Sequence, residues 1–108
     1  MEKSEHNEER RTARRFEVAW EIAVDGADRS GKRFNEAGTL QNLSSRGALF
    51  LLPRHVELGV SLDVEIRVPM KEKSWMKYSA KVVRVKKQAA YFGVAVNFAT
   101  ARPTFIER

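Results

Sequence analysis

The chain contains no cysteine among its 108 residues, and this absence removes several kinds of chemistry together. Without thiols there is no disulfide, no thiolate metal ligand and no cysteine nucleophile, and the composition fits a reducing compartment. Histidine is almost as scarce, because His6 and His55 are the only two. No cluster of carboxylates accompanies them, so we expect neither a metal site nor a metal cofactor.

Long hydrophobic runs are missing as well. No apolar run approaches the length that crosses a bilayer, and residues 1–9 (MEKSEHNEE) are acidic and polar where a secretion signal would be basic and then apolar. We therefore expect a cytoplasmic protein that does not insert into the membrane. Residues 1–9 also lack apolar periodicity, which predicts a flexible tail ahead of one folded domain, residues 10–108.

Motifs that mark catalytic sites are absent from the sequence. There is no G-x-S-x-G nucleophile elbow, no Walker loop, no H-E-x-x-H pair and no clear Ser/His/Asp arrangement. Asp63 and Glu65 share one face of a predicted strand, but on its polar side, so we interpret them as surface charges. We do not expect an enzyme.

Basic residues exceed acidic ones, with 20 Lys and Arg against 14 Asp and Glu and a net charge of +6. Four of the arginines lie within six residues, at positions 10, 11, 14 and 15, and without them the balance is 16 basic against 14 acidic residues. An excess this localised predicts a compact site for an anionic partner, rather than a basic face spread along a duplex.

Alternating hydrophobicity predicts β-structure throughout the folded part. Phe16, Val18, Trp20, Ile22 and Val24 recur at every second position, which is typical of a half-buried strand, and Trp20 shares the apolar parity. Similar alternation or apolar runs, with turn residues at their ends, predict five further strands. The predicted strands are 16–24, 36–42, 47–52, 62–68, 78–86 and 91–98.

Besides the turn at NLSSRG (42–47), four connections join these strands. They are a long hairpin connection at 25–35, a stretch with one helical turn (LPRHVELGVSL), a polar loop at 70–77 and a turn at KKQA. The loop carries Trp75, which we interpret as either a partner contact or a lid on the core. Six short strands without a long helix predict an all-β sandwich or barrel, and a barrel is favoured because closure removes exposed strand edges.

The first group of candidate binding residues is RRTARRF, which contains the R-x-x-x-R spacing twice, as Arg10/Arg14 and Arg11/Arg15. The arginine fork grips phosphate oxygens, donates two bonds to guanine O6 and N7, and stacks on bases. Taken alone, however, these residues fit a solvated basic tail or a non-specific nucleic-acid arm better.

The second group is the segment NLSSRG at 42–47, a [D/N]-x-S-x-x-G pattern between two strands. In an extended segment Asn42 and Ser44 point to one side, while Leu43 points into the core. Gly47 permits either a positive φ or a close approach of backbone. Taken alone, the pattern fits an Asx or Ser turn equally well.

Together the two motifs resemble the PilZ domain family. The resemblance covers roughly Arg10 to Phe98, and residues 80–98 (AKVVRVKKQAAYFGVAVNF) are similar to the closing hairpin of that family. It implies a six-stranded antiparallel β-barrel of the split-barrel type, with a flexible basic N-terminal tail whose arginines hold cyclic di-GMP, often as an intercalated dimer.

The resemblance also implies residue roles. Arg11 and Arg15 fit the family frame best, contacting guanine and phosphate, and Arg10 reinforces the phosphate contact. Asn42 stands where many members have aspartate, and its neutral amide accepts hydrogen bonds more weakly. The expected ligand-binding residues are Arg10, Arg11, Arg15, Asn42, Ser44 and Gly47, with Arg14, Arg46 and Arg84 as additional candidates; for Arg84 a solvated position facing outward is the more economical interpretation.

The implied function is that of a bacterial receptor or adaptor. It binds cyclic di-GMP, needs no other cofactor, orders its arginine motif and signals to an unidentified protein effector. Two alternatives stay open: a small basic barrel that binds single-stranded nucleic acid, and a PilZ-like interaction module without a ligand. Most aromatic residues fall in phase with the apolar stripe, which argues against nucleic acid. A homodimer also stays open.

Overall fold

The computed structural model of the protein describes residues 16–71 and 73–107, with side chains from Trp20 onward. Within this part every regular element is a strand and none is a helix. The strands are β1 (Phe16–Ala27), β2 (Arg33–Leu43), β3 (Gly47–Leu52), β4 (Ser61–Arg67), β5 (Ser74–Gln88), β6 (Tyr91–Phe98) and β7 (Thr104–Glu107).

Six of these strands form a closed antiparallel barrel. The order around it is β4, β1, β2, β3, β6 and β5, and β5 returns to pair with β4. The predicted six-stranded antiparallel barrel is therefore confirmed. The short strand β7 pairs with Ser74–Lys77 of β5. This part of β5 precedes Ala80, where the pairing of β5 with β6 begins.

The core lies inside the barrel and follows the predicted alternation. On β1 the side chains of Ile22 and Val24 are fully buried, and on β4 those of Val64 and Ile66 are too. Trp20 is half-buried and packs against this core, as its parity predicted. Phe50 on β3 is the largest fully buried side chain.

The first hairpin is longer and its turn tighter than expected. β1 continues to Ala27 and β2 begins at Arg33, so only 28–32 form the turn. The Asp28 carboxylate accepts hydrogen bonds from the Ser30 hydroxyl at 2.7 Å and from the backbone N–H of Lys32 at 2.9 Å. These bonds, the Ser30 hydroxyl first, hold the pKa of Asp28 below its usual value. The predicted loop at 25–35 was thus too long.

The loop predicted at 70–77 also differs from the structure. β5 begins at Ser74, so Trp75 lies on a strand and not in a loop, and only 9% of it is exposed. The interpretation of Trp75 as an exposed loop contact is therefore wrong. β5 runs on to Gln88 and turns at Ala89, whose φ is 53°. Most of the predicted KKQA turn is consequently strand.

Two further expectations need correction. Residues 53–60 form turns and bends without a helical turn.

Asp63 is half-buried, with Lys77 Nζ 3.9 Å from its carboxylate, but Glu65 is only 6% exposed and is not a surface charge. Glu65 lies opposite Lys77, with Trp75 on the diagonal, so the outer face is crowded there.

The buried position of Phe50 leads to a test of the core. Phe50→Ala should lower the free energy of unfolding by about 3–5 kcal/mol, because it leaves a cavity in a closed barrel. Phe105 on β7 is 66% exposed, so Phe105→Ala should change stability by less than about 0.5 kcal/mol. Urea denaturation of both variants measures the difference, and equal losses would contradict this description of the core.

Candidate functional site

The turn between β2 and β3 is held by Ser44. Its backbone N–H donates to the carbonyl of Gly47 at 3.0 Å, and its hydroxyl donates to the same carbonyl at 3.4 Å. The hydroxyl also accepts from the backbone N–H groups of Arg46 at 3.2 Å and Gly47 at 3.3 Å. The Ser44 side chain is therefore committed to shaping the turn, which is the simpler of the two interpretations of this motif.

Gly47 is required by a close backbone contact. A Cβ at this position would collide with the carbonyl oxygen of Val96 on the neighbouring strand β6. Its φ is not positive, so of the two roles predicted for this glycine the close approach is the one observed. The contact with β6 extends to the residue before β3, because the N–H of Phe98 donates to the carbonyl of Arg46 at 2.7 Å.

An open cavity of about 200 Å³ lies beside this turn, on the outer surface of the barrel. Its walls come from the end of β2, the β2–β3 turn, the start of β3, and the facing parts of β5 and β6. The predicted site residues that the structure describes all lie on these walls: Asn42, Ser44, Arg46, Gly47 and Arg84. The other predicted site residues lie outside the described residues: Arg10, Arg11, Arg14 and Arg15.

Strand register defines the geometry of the cavity. Asn42 pairs with Leu49, Leu49 with Ala95, and Ala95 with Arg84, so four strands contribute to one row. Three strand spacings separate the backbones of Asn42 and Arg84, which is about 14 Å. Leu49 and Ala95 are half-buried and form a low apolar floor between the two polar ends.

Two β-bulges turn the polar ends outward. The β2–β3 register shifts between Leu40 and Asn42, and the β5–β6 register shifts between Val82 and Arg84. Leu40 and Val82 are core residues, so strict alternation would point Asn42 and Arg84 into the barrel as well. Each bulge adds one residue and aims the polar side chain at the cavity.

The electrostatics of the cavity favour an anion. Among its described lining residues there are two arginines, Arg46 and Arg84, and no carboxylate. Within 16–71 and 73–107 neither arginine has an acidic partner, and the Asn42 amide makes no side-chain hydrogen bond. Elsewhere several arginines are engaged, in the contacts Arg29–Glu57 at 3.1 Å, Arg67–Glu21 at 2.9 Å and Arg54 over the Phe34 ring at 4.1 Å.

Several lining residues escaped the sequence motifs. Leu49 and Ala95 form the floor, Asn97 lies on one wall, and Val83 is 47% exposed at the bulge beside Arg84. Leu49 and Ala95 face outward by strand parity, which would have indicated them once the register was known. Nothing in the amino-acid pattern signals the bulge that exposes Val83.

Outside this cavity the described residues offer few other candidates for chemistry. A larger surface depression of about 640 Å³ crosses β1, β4, β5 and β6, with small and polar residues on its walls. In residues 16–71 and 73–107 no three His, Asp or Glu side chains come together as metal ligands would. None of the described segments is a helix long and apolar enough to span a bilayer.

The protein is a small closed β-barrel that carries, on its outer surface, a cavity lined by two arginines. The family model of the PilZ domain matches residues 9–107. The chain belongs to the PilZ domain family.

Solved structures with the same fold include the following two. The inhibitor of motility MotI/DgrA from Bacillus subtilis superposes with a TM-score of 0.64 at 17% identity, over 82% of this chain. The chain spans only 42% of that protein. The PilZ domain of YcgR from Escherichia coli, solved with c-di-GMP, superposes with a TM-score of 0.61 at 13% identity, over 83% of this chain and 78% of its own. No functionally curated protein matches the chain significantly in sequence.

The contact between Gly47 and β6 leads to a stability test. Gly47→Ala should lower the free energy of unfolding by about 1–3 kcal/mol, because two backbones must separate to admit the methyl group. Gly93→Ala is the matched control, since the added Cβ would meet the end of the flexible Gln88 side chain. Thermal denaturation compares the two. Equal tolerance of both substitutions would contradict the close approach at Gly47.

Proposed function

We propose that the protein is a cyclic di-GMP receptor that passes the binding event to a protein partner. The observation that carries the proposal is the cavity, in which the side chains of Asn42, Arg46 and Arg84 have no hydrogen-bond or acidic partner among residues 16–71 and 73–107 and surround an apolar floor. A receptor of this kind is an adaptor and not an enzyme, and it works in the bacterial cytoplasm.

The position of the arginine motif supports the proposal. Phe16, the first residue of β1, pairs with Leu43, and Glu17 pairs with Asn42. The chain therefore enters β1 at the edge of the cavity, and Arg15 is the residue immediately before Phe16. The arginines at 10–15 precede Phe16 by one to six residues along the chain, so we propose that they act with Asn42, Arg46 and Arg84 on one anionic ligand.

The chemistry of the cavity suits a guanine nucleotide. A base can lie on the apolar floor of Leu49 and Ala95, with its edge toward the Asn42 amide. Arginine donates two hydrogen bonds to guanine O6 and N7, which is the role we assign to Arg11 and Arg15. Arg10, Arg46 and Arg84 then face the phosphates. Ser44 acts indirectly, by holding the turn that presents Asn42 and Arg46.

The relatives add support at the level of the family. The structure of the YcgR PilZ domain contains c-di-GMP, and the Bacillus protein is described as an inhibitor of motility. A domain without catalytic groups acts through another protein. We therefore propose that the bound ligand orders the arginine segment against the barrel and so changes the surface that a protein effector meets.

Titration calorimetry tests the proposal directly. Cyclic di-GMP should bind the wild-type protein saturably, and Arg46→Ala/Arg84→Ala and Arg11→Ala/Arg15→Ala should each weaken binding at least about tenfold. Arg33→Ala/Arg102→Ala removes the same charge at two exposed positions away from the cavity and should leave the affinity within about twofold. Cyclic di-AMP, GMP and a short oligonucleotide serve as competitors.

The outcomes of this titration separate the candidates. Selective binding of cyclic di-GMP that depends on both arginine pairs supports the receptor. Absence of binding by the folded protein would leave an interaction module, and preference for the oligonucleotide with steep salt dependence would indicate a nucleic-acid barrel. Either result would overturn the proposal.

Asn42 allows a gain-of-affinity test. Asn42→Asp should tighten cyclic di-GMP binding by roughly fivefold, because a carboxylate accepts more strongly from guanine N–H groups and the change is worth on the order of 1 kcal/mol. Asn42→Ala should weaken binding. If instead Asn42→Asp weakens binding as much as alanine does, the carboxylate faces phosphate, and the proposed orientation of the base is wrong.

A further inference from the structure

The last third of the chain is strongly segregated in charge. From Lys73 to Ile106 the sequence contains seven Lys and Arg residues and no Asp or Glu. This stretch supplies β5 and β6 entirely. The net charge of the protein therefore has a second source besides the arginine motif.

Three of these cations line the outer side of β5, and we call Lys81, Arg84 and Lys86 the cation ladder. All three are exposed. Opposite them on β6 are Asn97, Ala95 and Gly93, which are small and uncharged. The ladder extends for about 16 Å along the strand.

Among the residues that the structure describes, no acidic side chain neutralises the cation ladder. Within 16–71 and 73–107 none of its three members forms an ion pair. Lys77, the preceding lysine on β5, differs because its Nζ lies 3.9 Å from the Asp63 carboxylate. Like charges in a row repel one another, so an elongated anionic occupant would be stabilised there.

The sequence contains one segment with the required charge. Residues 1–9 hold four glutamates, at positions 2, 5, 8 and 9, against a single lysine, and this is the densest run of carboxylates in the chain. We call it the acidic segment. Its other residues after Met1 are polar or basic, and Glu9 directly precedes the arginine motif.

The distance from β1 to the ladder can be read from the register. Glu17 pairs with Asn42, and the row continues through Leu49 and Ala95 to Arg84. Four strand spacings give about 19 Å across the surface. The seven steps from Glu9 to Phe16 span at most about 24 Å when extended. The chain that follows the acidic segment is therefore long enough to let this segment reach the ladder.

We propose that the acidic segment docks on the cation ladder and competes there with an anionic ligand for Arg84. Charge complementarity and reach select this occupant over a nucleic acid or an acidic partner protein. The docking does not require a nucleotide. Its effect on nucleotide affinity rests on the proposed function, and the two are tested separately.

Amide chemical shifts test the docking without any ligand. Neutralising the acidic segment (E2Q/E5Q/E8Q/E9Q) should shift the amide signals of Lys81–Lys86 and Gly93–Asn97 at about 50 mM salt. The same comparison at about 500 mM salt should show little difference, because the contact is screened. Unchanged ladder signals at low salt would overturn the proposal, whatever the protein does with cyclic di-GMP.

A thermodynamic cycle tests the competition. When the ladder is unchanged, the protein with the neutralised acidic segment should bind cyclic di-GMP about fivefold more tightly than the wild-type protein at low salt. In a Lys81→Gln/Lys86→Gln background, which spares the cavity arginines, the same neutralisation should have almost no effect. Lys71→Gln/Lys73→Gln removes equal charge off the ladder and should preserve the fivefold effect.

The cycle also identifies the alternative. If neutralising the acidic segment tightens binding equally in both ladder backgrounds, the glutamates act on the neighbouring arginine motif and not on the ladder, which contradicts the proposal. Failure of the wild-type protein to bind cyclic di-GMP would instead contradict the proposed function. The shift experiment would still decide the docking.

Discussion

The closure of the sheet is the constraint on which the rest of the structure depends. β4 pairs with β1 on one side and with β5 on the other, so the six strands leave no free edge between them. A closed barrel buries one face of every strand and fixes the register all the way round. The pairing therefore fixes the positions of residues on the outer surface, so that a residue on β2 and a residue on β5 keep a constant separation.

The candidate site exists because the strand register shifts at the two bulges beside the cavity. Without them Asn42 and Arg84 would share the inward parity of Leu40 and Val82. The turn held by Ser44 and the close contact at Gly47 bring the start of β3 against β6 beside the cavity. The candidate binding groups thus sit on strands and a short tight turn, and the arginine motif directly precedes β1 in the sequence. A stable platform and an adjacent basic segment are what an ordering mechanism requires.

Much of the fold and part of the site could be predicted from the sequence. Alternation predicted the core positions of β1 and β4, and the motif at 42–47 predicted residues that do line one cavity. The bulge beside Val83 could not be predicted, because an inserted residue breaks the parity without changing the composition. β7 is only four residues long and carries no periodic signal, and the burial of Glu65 depends on neighbouring strands. The roles of the four arginines rest on the family resemblance, because these residues lie outside the described part of the chain.

If the proposed function is right, an anionic guanine ligand occupies the cavity between Asn42 and Arg84. The most direct measurement is a titration of the isotopically labelled protein with cyclic di-GMP, following its amide and arginine side-chain NMR signals. The largest chemical-shift changes should occur along the row from Asn42 through Leu49 and Ala95 to Arg84 and at the β2–β3 turn. Changes confined to the larger depression around Asp25 and Ser61, or saturation without any change in the Asn42 row, would contradict it.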